Sequence, residues 1–287
     1  MNQSRILSVI HVLSKLGFLY AMVLLLPTLV SYAYMDGTFS AFSQTALATL
    51  LGSGLAWAGT RRYQRELRPR DGFTLVFMLW VGFAAISAMP FYLYFPHMSY
   101  TDAFFEAISG LTTTGATVLT GLEHLPISIN LWRTFMHWVG GMGVIVLVVA
   151  ILPLLGIGGR QLYKAEVPTP MKDASLTPRI AETAKGLWIT YVLLTVACGF
   201  ALWWAGLEGW DAVIHAFSIA GLGGFSSKDA SIGHFANLNV ELVTIVFALL
   251  AGLNYATHYL ALVRRSLKPY ARDPELPFYF GVLLFSV

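Results

Sequence analysis

Residues 101–117 read TDAFFEAISGLTTTGAT, and residues 210–226 read WDAVIHAFSIAGLGGFS, so one pattern occurs twice without a gap. Each copy is a short apolar segment that ends in a stretch rich in Gly, Thr or Ser, and each lies between two long hydrophobic segments. A helix too short to cross a bilayer, followed by irregular backbone, predicts a re-entrant pore loop. The two copies are identical at Asp102/Asp211, Ala103/Ala212, Ala107/Ala216, Ser109/Ser218 and Gly115/Gly224.

The composition is that of a membrane protein. Hydrophobic residues make up 56% of the chain and charged residues 11%, whereas charged residues are about a quarter of a soluble domain. Apolar runs long enough to cross a bilayer predict spans at 6–34, 40–60, 72–95, 132–155, 186–206 and 238–262. Cys198 is the only cysteine, which excludes a disulfide framework and favours a packing role for this residue.

The basic residues lie almost entirely on one predicted side of the membrane. All 18 Lys and Arg residues except Arg133 and Lys228 fall at the start of the chain, in 61–72, in 157–185 or in 264–272. By the positive-inside rule, this side and the N-terminus are cytoplasmic. The acidic residues of the predicted outer side are Asp36, Asp102, Glu106, Glu123, Glu208, Asp211, Asp229 and Glu241. They are predicted to concentrate cations at an outer mouth, although acidic surface loops without this role are equally expected.

The loop after the first apolar helix cannot readily continue that helix. In Leu111–Gly121, the Thr side chains are stiff at χ1 and the glycines allow positive φ. Such a stretch can turn successive carbonyl oxygens towards an axis, where rings of carbonyls replace the hydration shell of K⁺. Alignment with the potassium-channel filter motif Thr-Val-Gly-Tyr-Gly gives residues 113–117 in the first copy and 222–226 in the second.

The short helices are expected to support such a filter electrostatically. A pore helix that enters from outside points its C-terminal end, which carries about half a negative charge, at the pore centre. Ser99, Thr101 or Asp102 is predicted to cap the first helix, and Asp211 the second. Capping is favoured over ion binding for both aspartates because they lie at the end of the helix far from the filter.

Further motifs accompany the first loop, whose residues 109–117 read SGLTTTGAT. They are WVGGMG at 138–143, AILPLLG at 150–156, LTPRIAETAK at 176–185, GLGGFS at 221–226 and KDASIG at 228–233. With this combination the chain resembles the TrkH-type membrane subunits of bacterial potassium-uptake systems, in the Trk/Ktr/HKT superfamily, over essentially its whole length. The resemblance implies an all-α polytopic membrane protein, with a two-helix hairpin and two of four outer-helix, pore-loop, inner-helix repeats of a K⁺-channel-like fold.

The resemblance divides the chain into five parts. These are an N-terminal transmembrane hairpin at 1–66, a first pore repeat at 67–156, a cytoplasmic linker at 157–185, a second pore repeat at 186–265 and the truncated start of a third repeat at 266–287. The hairpin favours the Trk type over the related Ktr type. The last part is expected to be cut off because Leu276–Val287 is too short to span a bilayer, and residues 270–276 resemble 67–73.

The resemblance also implies K⁺ uptake across the bacterial inner membrane, with K⁺ as the transported ion and no cofactor. The filter residues carried over are Thr113, Thr114, Leu222 and Gly223 for carbonyl coordination, with Gly115, Ala116, Gly224 and Phe225 as filter glycines and flanks. The implied partners are a cytoplasmic nucleotide-binding regulatory subunit of the TrkA type, a second copy in a homodimer and membrane lipid, but no nucleic acid. Leu222 replaces a filter Thr, so the sequence leaves open whether K⁺ is preferred over Na⁺. It also leaves open whether transport is channel-like or is a symport with H⁺ or Na⁺.

Three alternatives compete with this interpretation. A Ktr-like, Na⁺-dependent K⁺ transporter shares the loops, whereas a non-conducting scaffold would not require them. An intramembrane enzyme that uses His137 or His258 would need a motif such as His-Glu-x-x-His or Gly-x-Ser-x-Gly, and the sequence has neither. A packing role is favoured for His258, and Gly140, Gly141 and Gly143 are expected to let helices approach closely.

Two further predictions concern the interfaces and the linker. The linker is expected to carry a short helix near Arg179–Lys185, and its basic residues are expected to give the orientation signal or to contact a cytoplasmic partner. Those residues are Arg160, Lys164, Lys172 and Arg179. The aromatic residues predicted as membrane anchors are Tyr92, Tyr94, Phe95, Trp132 and Trp210.

Overall fold

The structure, a computed structural model, describes residues 3–63, 69–155 and 176–286. In these ranges the regular elements are α-helices and two 3-10 turns, at Leu122–His124 and Ser231–Phe235. The helices are α1 (Gln3–Val23), α2 (Leu25–Tyr34), α3 (Phe39–Thr60), α4 (Pro69–Tyr94), α5 (Tyr100–Leu111), α6 (Ile127–Leu155), α7 (Leu176–Trp204), α8 (Gly209–Ala220), α9 (Leu238–Ala251), α10 (Tyr255–Arg264), α11 (Lys268–Ala271) and α12 (Leu276–Ser286).

The predicted N-terminal hairpin is present. α1 continues into α2 with only Leu24 between them, because Leu24 N donates to the Tyr20 carbonyl (3.1 Å) and Thr28 N donates to the Leu24 carbonyl (3.3 Å). The chain turns at 35–38, where Met35 and Gly37 have positive φ, and α3 returns along α1. The hairpin packs against the first pore repeat, because Tyr20, Leu24 and Phe42 belong to the same buried cluster as residues of α4, α5 and α6.

Most of the predicted spans coincide with helices. Within the described ranges, the helices that are long and apolar enough to cross a membrane are Arg5–Tyr34, Asp71–Tyr94 and Ala184–Trp204. They correspond to the first, third and fifth predicted spans. α3 and α6 cover the second and fourth, so each outer helix and the first inner helix lie where the sequence places them.

The sixth predicted span is wrong as a continuous helix. α9 and α10 meet at an angle of 94°, with Gly252, Leu253 and Asn254 between them. Gly252 ends α9, and the Asn254 side chain starts α10 by accepting a hydrogen bond from Ala256 N at 2.9 Å. Asparagine is among the best N-cap residues, so a helix stop followed two residues later by a helix start produces the bend.

His258 stabilises this bend, in agreement with the predicted packing role. It is buried, its Nε2 lies 2.8 Å from the Leu250 carbonyl, and its Nδ1 lies 2.6 Å from the Tyr270 hydroxyl. The last carbonyls of a helix have no partner inside that helix. The imidazole therefore adds a hydrogen bond to the last turn of α9, where the Leu250 carbonyl also accepts from Leu253 N (3.1 Å), and so links α10 to the end of α9.

The predicted short linker helix near Arg179–Lys185 is not separate from the membrane span. α7 runs without interruption from Leu176 to Trp204, so the end of the stretch assigned to the linker continues into the fifth span. Arg160, Lys164 and Lys172 lie outside the described residues. Their suggested contact with a cytoplasmic partner stays a prediction.

Trp132, predicted as a membrane anchor, lies instead in the core of the first repeat. Trp132 is 1% exposed and lies between the rings of Tyr20 and Phe42, with its indole N–H donated to the Ser87 carbonyl at 3.2 Å. An indole whose N–H finds a partner can be buried completely. Tyr92, by contrast, is exposed as an anchor requires, and Cys198 packs in an apolar cluster of the second repeat as predicted.

Asp36 joins the hairpin to the first pore repeat. Its carboxylate accepts hydrogen bonds from Ser31 Oγ (2.5 Å) and from Ser128 N (3.0 Å) in the first turn of α6. Partial burial raises the pKa of Asp36, but the hydrogen bonds from Ser128 and Ser31 outweigh it and hold the pKa below its ordinary value. A carboxylate at the positive end of a helix is favourable, so this outer acid has a structural role.

Candidate ion-conducting site

The two predicted pore helices exist and have equal length. α5 and α8 contain 12 residues each, about 18 Å of helix, which is too short for a hydrocarbon core about 30 Å thick. Both are followed by backbone without α-helix that leads into an inner helix, α6 or α9. The re-entrant geometry predicted from the repeated pattern is therefore confirmed.

Both pore helices end in the same hydrogen-bonded motif. Thr113 N donates to the Gly110 carbonyl (3.1 Å) and Thr114 N to the Ser109 carbonyl (2.9 Å). In the second repeat, Leu222 N donates to the Ile219 carbonyl (3.0 Å) and Gly223 N to the Ser218 carbonyl (3.0 Å). This pattern is the Schellman motif, whose C′ residue adopts positive φ and is usually glycine. Here, Thr113 and Leu222 occupy that position.

Both segments then alternate in the sign of φ. Thr113 (+55°) and Gly115 (+77°) have positive φ in the first segment, and Leu222 (+52°) and Gly224 (+85°) in the second. The residues between them are absent from the positive-φ region. In a β-strand successive carbonyls point in opposite directions, whereas alternating φ lets neighbouring carbonyls face one side. A filter built from backbone oxygens requires the second arrangement.

The positive φ at Thr113 and Leu222 is strained. A side chain in the left-handed region costs roughly 1–2 kcal/mol, and a β-branched residue there is a rare outlier. Strain of this kind persists only where the surrounding structure fixes it, and it is concentrated at functional sites. The same strained conformation at equivalent positions of both repeats therefore marks these residues as a candidate site.

The two segments touch each other. A Cβ built on Gly115 would lie 1.9 Å from the Gly223 carbonyl oxygen and 3.9 Å from Gly224 Cα. Only a residue without a side chain fits this approach. Gly115 and Gly224 therefore border the same space, which is the arrangement that the pore prediction requires. The assignment of Thr113, Thr114, Leu222 and Gly223 as carbonyl ligands of K⁺ stays a prediction.

The inner helix α6 packs closely behind both segments. A Cβ on Gly140 would lie 1.8 Å from the Leu111 carbonyl oxygen at the end of α5, and one on Gly141 would lie 3.0 Å from Gly221 Cα at the end of α8. The close packing predicted for these two glycines is confirmed. For Gly143, an added Cβ would have no neighbour within 4 Å among the residues that the structure describes, so the predicted close packing of this glycine stays a prediction.

The predicted caps are right for α5 and wrong for α8. Ser99 Oγ accepts a hydrogen bond from Asp102 N (3.1 Å) and donates one to the Asp102 carboxylate (2.7 Å). In the second repeat the N-cap is Glu208, which makes no side-chain cap bond. Asp211 instead accepts from Ser227 Oγ (2.6 Å) and lies 3.4 Å from Lys228 Nζ, so it holds the end of the second filter segment.

Sequence reasoning missed the ion pair behind the first filter segment. The sequence pattern places Glu106 among the acids of the outer surface, but its side chain is 0% exposed and its Oε1 lies 2.8 Å from Arg133 Nε. The carboxylate also accepts hydrogen bonds from Thr117 Oγ1 (2.9 Å to both oxygens) and from Val118 N (3.1 Å). The spacing of the two partners along the chain gives no signal, because α5 and α6 are separate helices.

The second repeat has a neutral counterpart of this arrangement. In the ungapped alignment of the two copies, His215 is equivalent to Glu106, and Ser226 is equivalent to Thr117. His215 Nε2 lies 2.8 Å from the Ser226 hydroxyl, and its Nδ1 lies 2.7 Å from the Asp211 carbonyl. That carbonyl can only accept, so Nδ1 carries the proton and Nε2 accepts from Ser226. In both repeats, then, the pore helix accepts a hydrogen bond from the hydroxyl two residues after the filter glycine.

His137 forms a platform for the second filter segment. Its ring is buried and stacks on Phe225 at 4.2 Å with an interplanar angle of 18°. A Cβ built on Gly223 would lie 1.9 Å from His137 Nδ1, so the backbone of this segment rests against the imidazole. These contacts indicate a packing role for His137.

The outer loops of the two repeats are joined by hydrogen bonds from backbone N–H groups to side-chain carboxylates. The Asp229 carboxylate accepts from Gly121 N (2.8 Å) and Leu122 N (3.0 Å), and Asp229 N donates to Glu123 Oε1 (2.8 Å). The bonds from Leu122 and Gly121 lower the pKa of Asp229, and backbone hydrogen bonds, including that from Asp229, lower the pKa of Glu123. Both groups stay ionised, and they also cross-link the repeats.

Paired pore helices with matching filter segments, set among helices of bilayer length, define a channel-like membrane protein. Residues 38–281 match the TrkH family, whose description is "Cation transport protein", and the chain belongs to this family.

Several relatives match this chain over nearly its whole length. The chain is 48% identical over 281 residues to the Trk system potassium uptake protein TrkH of Salmonella typhimurium, and the match covers 98% of this chain and 58% of that protein. It is 42% identical over 285 residues to the Trk system potassium uptake protein TrkG of Escherichia coli, with 99% of this chain and 59% of that protein covered.

A solved structure has the same fold. The crystal structure of the potassium transporter TrkH from Vibrio parahaemolyticus superposes with a TM-score of 0.86 at 41% identity. The match covers 99% of this chain and 57% of that chain. The chain thus spans a little over half the length of the relatives that it matches.

Proposed function

We propose that this chain forms part of a K⁺ translocation pathway, with carbonyl oxygens of Thr113, Thr114, Leu222 and Gly223 as ligands of the dehydrated ion. The observation that carries the proposal is the pair of equivalent filter segments, both with alternating φ, that meet at Gly115 and Gly223. Irregular backbone inside a bilayer is tolerated where it is buried in protein or lines water. Relatives that are named potassium uptake proteins support K⁺ as the ion.

The setting of this activity is proposed from the same relatives. We propose a place in the bacterial inner membrane with a cytoplasmic N-terminus, which the bacterial relatives named for potassium uptake and the basic residues on one predicted side support. The word "system" in those names supports a multi-component assembly, for which a nucleotide-binding regulatory subunit of the TrkA type and a homodimer are the proposed parts. The relatives' names support transport over the alternative of an intramembrane enzyme, and the contacts observed for His137 and His258 are packing contacts.

The ion preference depends on one difference between the two filter segments. At the position where the first segment has Thr113, the second has Leu222, which is 51% exposed and has no hydroxyl. Backbone coordination does not need the hydroxyl, so K⁺ binding survives this difference. A Ktr-like, Na⁺-dependent mode of transport remains the second candidate because of this residue.

The test is uptake by a bacterial strain that lacks its own K⁺ transport. The natural coding sequence that contains these residues is expressed with Gly115→Asp, and growth at low K⁺ and initial K⁺ uptake are measured. We expect both to be lost, because any side chain at this position meets the Gly223 carbonyl. The matched control is Gly37→Asp, where φ is also positive (+86°) but an added Cβ meets no atom of the described residues within 4 Å.

The outcomes are distinct. Loss of uptake with Gly115→Asp, together with uptake by Gly37→Asp at equal amounts of protein in the membrane, supports the proposal. Uptake that persists with Gly115→Asp contradicts the assignment of this segment as the filter. A wild-type protein that takes up no K⁺ under any condition contradicts the proposed function itself.

A further inference from the structure

The ion pair Arg133–Glu106 lies at the junction of both filter segments. Both side chains are 0% exposed. Removing two charges from water is expensive, and a buried pair is tolerated only when further hydrogen bonds satisfy its remaining polar atoms. Replacing such a pair by packed apolar residues is often neutral or stabilising, so stability alone gives little reason for its presence.

Glu106 fixes the chain that leaves the first filter segment. Its carboxylate, on the pore helix α5, binds the hydroxyl of Thr117 and the backbone N–H of Val118. Thr117 follows Gly115 by two residues. The position of the last filter residues is therefore tied to the helix that precedes the filter.

Arg133 extends this attachment to the second segment. Its Nη1 donates to the Ser226 carbonyl (2.9 Å), its Nη2 donates to Thr117 Oγ1 (3.1 Å), and its guanidinium carbon lies 4.4 Å from the ring centroid of Phe225. Thr117 and Ser226 are equivalent residues of the two repeats. One guanidinium thus holds the same point of both filter segments at once.

We infer that the Arg133–Glu106 pair sets the spacing between the two filter segments and is thereby a positioning determinant of K⁺ over Na⁺ selectivity. The inference rests on the proposed function. A filter distinguishes ions by the number, spacing and freedom of its carbonyl oxygens. The planar guanidinium presents several N–H donors in a fixed fork, so it holds two acceptors at a defined separation in a way that a lysine cannot.

The charge of each partner has a further consequence. Arg133 places a positive charge behind a cation pathway, and Glu106 neutralises it at 2.8 Å. Buried charges are screened weakly by salt. Loss of Glu106 leaves an uncompensated positive charge that repels cations, whereas loss of Arg133 leaves a negative charge that attracts them. The two single substitutions should both lower selectivity but should change K⁺ uptake to different extents.

The experiment compares initial uptake of K⁺ and Na⁺ by wild type, Glu106→Gln, Arg133→Met and Arg133→Lys in a strain without its own K⁺ transport. We expect the K⁺/Na⁺ uptake ratio to fall about tenfold in all three variants, which corresponds to about 1.4 kcal/mol. We expect K⁺ uptake itself to be lower in Glu106→Gln than in Arg133→Met. The control is Glu241→Gln, which removes an acid from the first turn of α9 and should leave the ratio unchanged.

Thr117→Val provides a milder variant. It keeps both charges and the side-chain volume but removes the hydroxyl that binds Glu106 and Arg133. We expect a smaller fall of the ratio in the same direction. If a variant of the ion pair fails to reach the membrane, Thr117→Val decides the question.

The results separate this inference from the proposed function. Wild-type K⁺ uptake with an unchanged ratio in Thr117→Val and in the ion-pair variants overturns the inference and leaves the proposed function standing. A full wild-type ratio in Arg133→Lys overturns the role of the guanidinium fork, because a lysine preserves only the charge. A wild type without K⁺ uptake overturns both proposals.

Discussion

The two pore repeats share the backbone of the filter but differ in what holds it. Both pore helices end in a Schellman motif, and both filter segments have positive φ at equivalent residues. Behind the first segment lies the buried ion pair of Glu106 and Arg133, whereas the neutral His215 occupies the equivalent place in the second. When the ungapped alignment of the repeats is continued, Arg133 falls opposite Leu242, which is exposed.

This difference shows that the same filter backbone can be held by different side chains. The filter conformation requires a helix stop, positive φ and an acceptor for the hydroxyl after the filter glycine. A carboxylate and a neutral imidazole both provide that acceptor. Of these two supports, the ion pair is the one that reaches across to the other repeat, because α6 packs against both α5 and α8. The first repeat therefore supports the second filter segment as well as its own. Four predictions test how the two repeats differ and how they are joined.

The largest difference is expected between Gly115→Ala and Gly224→Ala. Both residues have positive φ, so either substitution carries a backbone cost of roughly 1–2 kcal/mol. Only Gly115 also faces a neighbouring carbonyl at a clashing distance, while an added Cβ on Gly224 has open space. We expect Gly115→Ala to abolish K⁺ uptake and Gly224→Ala to reduce it. Initial uptake rates at matched protein levels measure the difference, and equal losses would contradict the asymmetry.

A second comparison sets His215→Phe against Glu106→Gln. The phenyl ring fits the imidazole site but leaves the Ser226 hydroxyl without its acceptor, which should lower the free energy of unfolding by about 1–3 kcal/mol. The K⁺/Na⁺ ratio should change less than in Glu106→Gln, because Arg133 still holds the Ser226 carbonyl. Thermal unfolding in detergent and the flux ratio are the two measurements. A larger selectivity change in His215→Phe would reverse the assigned roles.

The inner helices differ as well, since α6 is continuous while α9 and α10 are bent by 94°. Asn254→Ala removes the N-cap of α10 and should cost about 1 kcal/mol of stability. The matched control is Asn239→Ala on the exposed start of α9, which should stay within about 0.5 kcal/mol of wild type. Thermal unfolding of both variants tests the role of Asn254, and indistinguishable melting temperatures would argue against it.

The smallest effect is expected at the joint between the outer loops. The pKa of Asp229 is lower in the folded protein than its ordinary value of 3.8. The carboxylate therefore contributes its full stabilisation at pH values above 3.8, and this contribution is lost as the pH falls through the lower pKa of the folded state. Asp229→Asn should be less stable than wild type at neutral pH, and this difference should shrink below about pH 4. Unfolding at a series of pH values measures it, and a difference that grows on acidification would contradict the sign.

The repeated pattern was sufficient to predict much of this architecture. The pore helices, the filter glycines and most spans follow from hydrophobic runs, their lengths and the glycines, all of which are local properties. The bend at Gly252–Asn254 also had a local signal, a glycine followed by an N-cap residue, which the largely apolar composition of 238–262 obscured. The roles of Asp211 and Trp132 were mistaken because each depends on a partner from a distant segment.

By itself, the sequence determined that the chain lies in a membrane and that two short helices enter the membrane without crossing it. It also determined that glycines lie in both filter segments. These features depend on the hydrophobicity and the backbone freedom of each segment alone. Only the tertiary structure decided that Gly115 faces Gly223 and that Arg133 and Glu106 are buried together behind both segments. The physical reason is that the energy of a charge depends on its surroundings. The sequence alone places Glu106 among the acids of the outer surface. In the folded protein its carboxylate is buried, pairs with Arg133 on α6 and binds the chain that leaves the first filter segment.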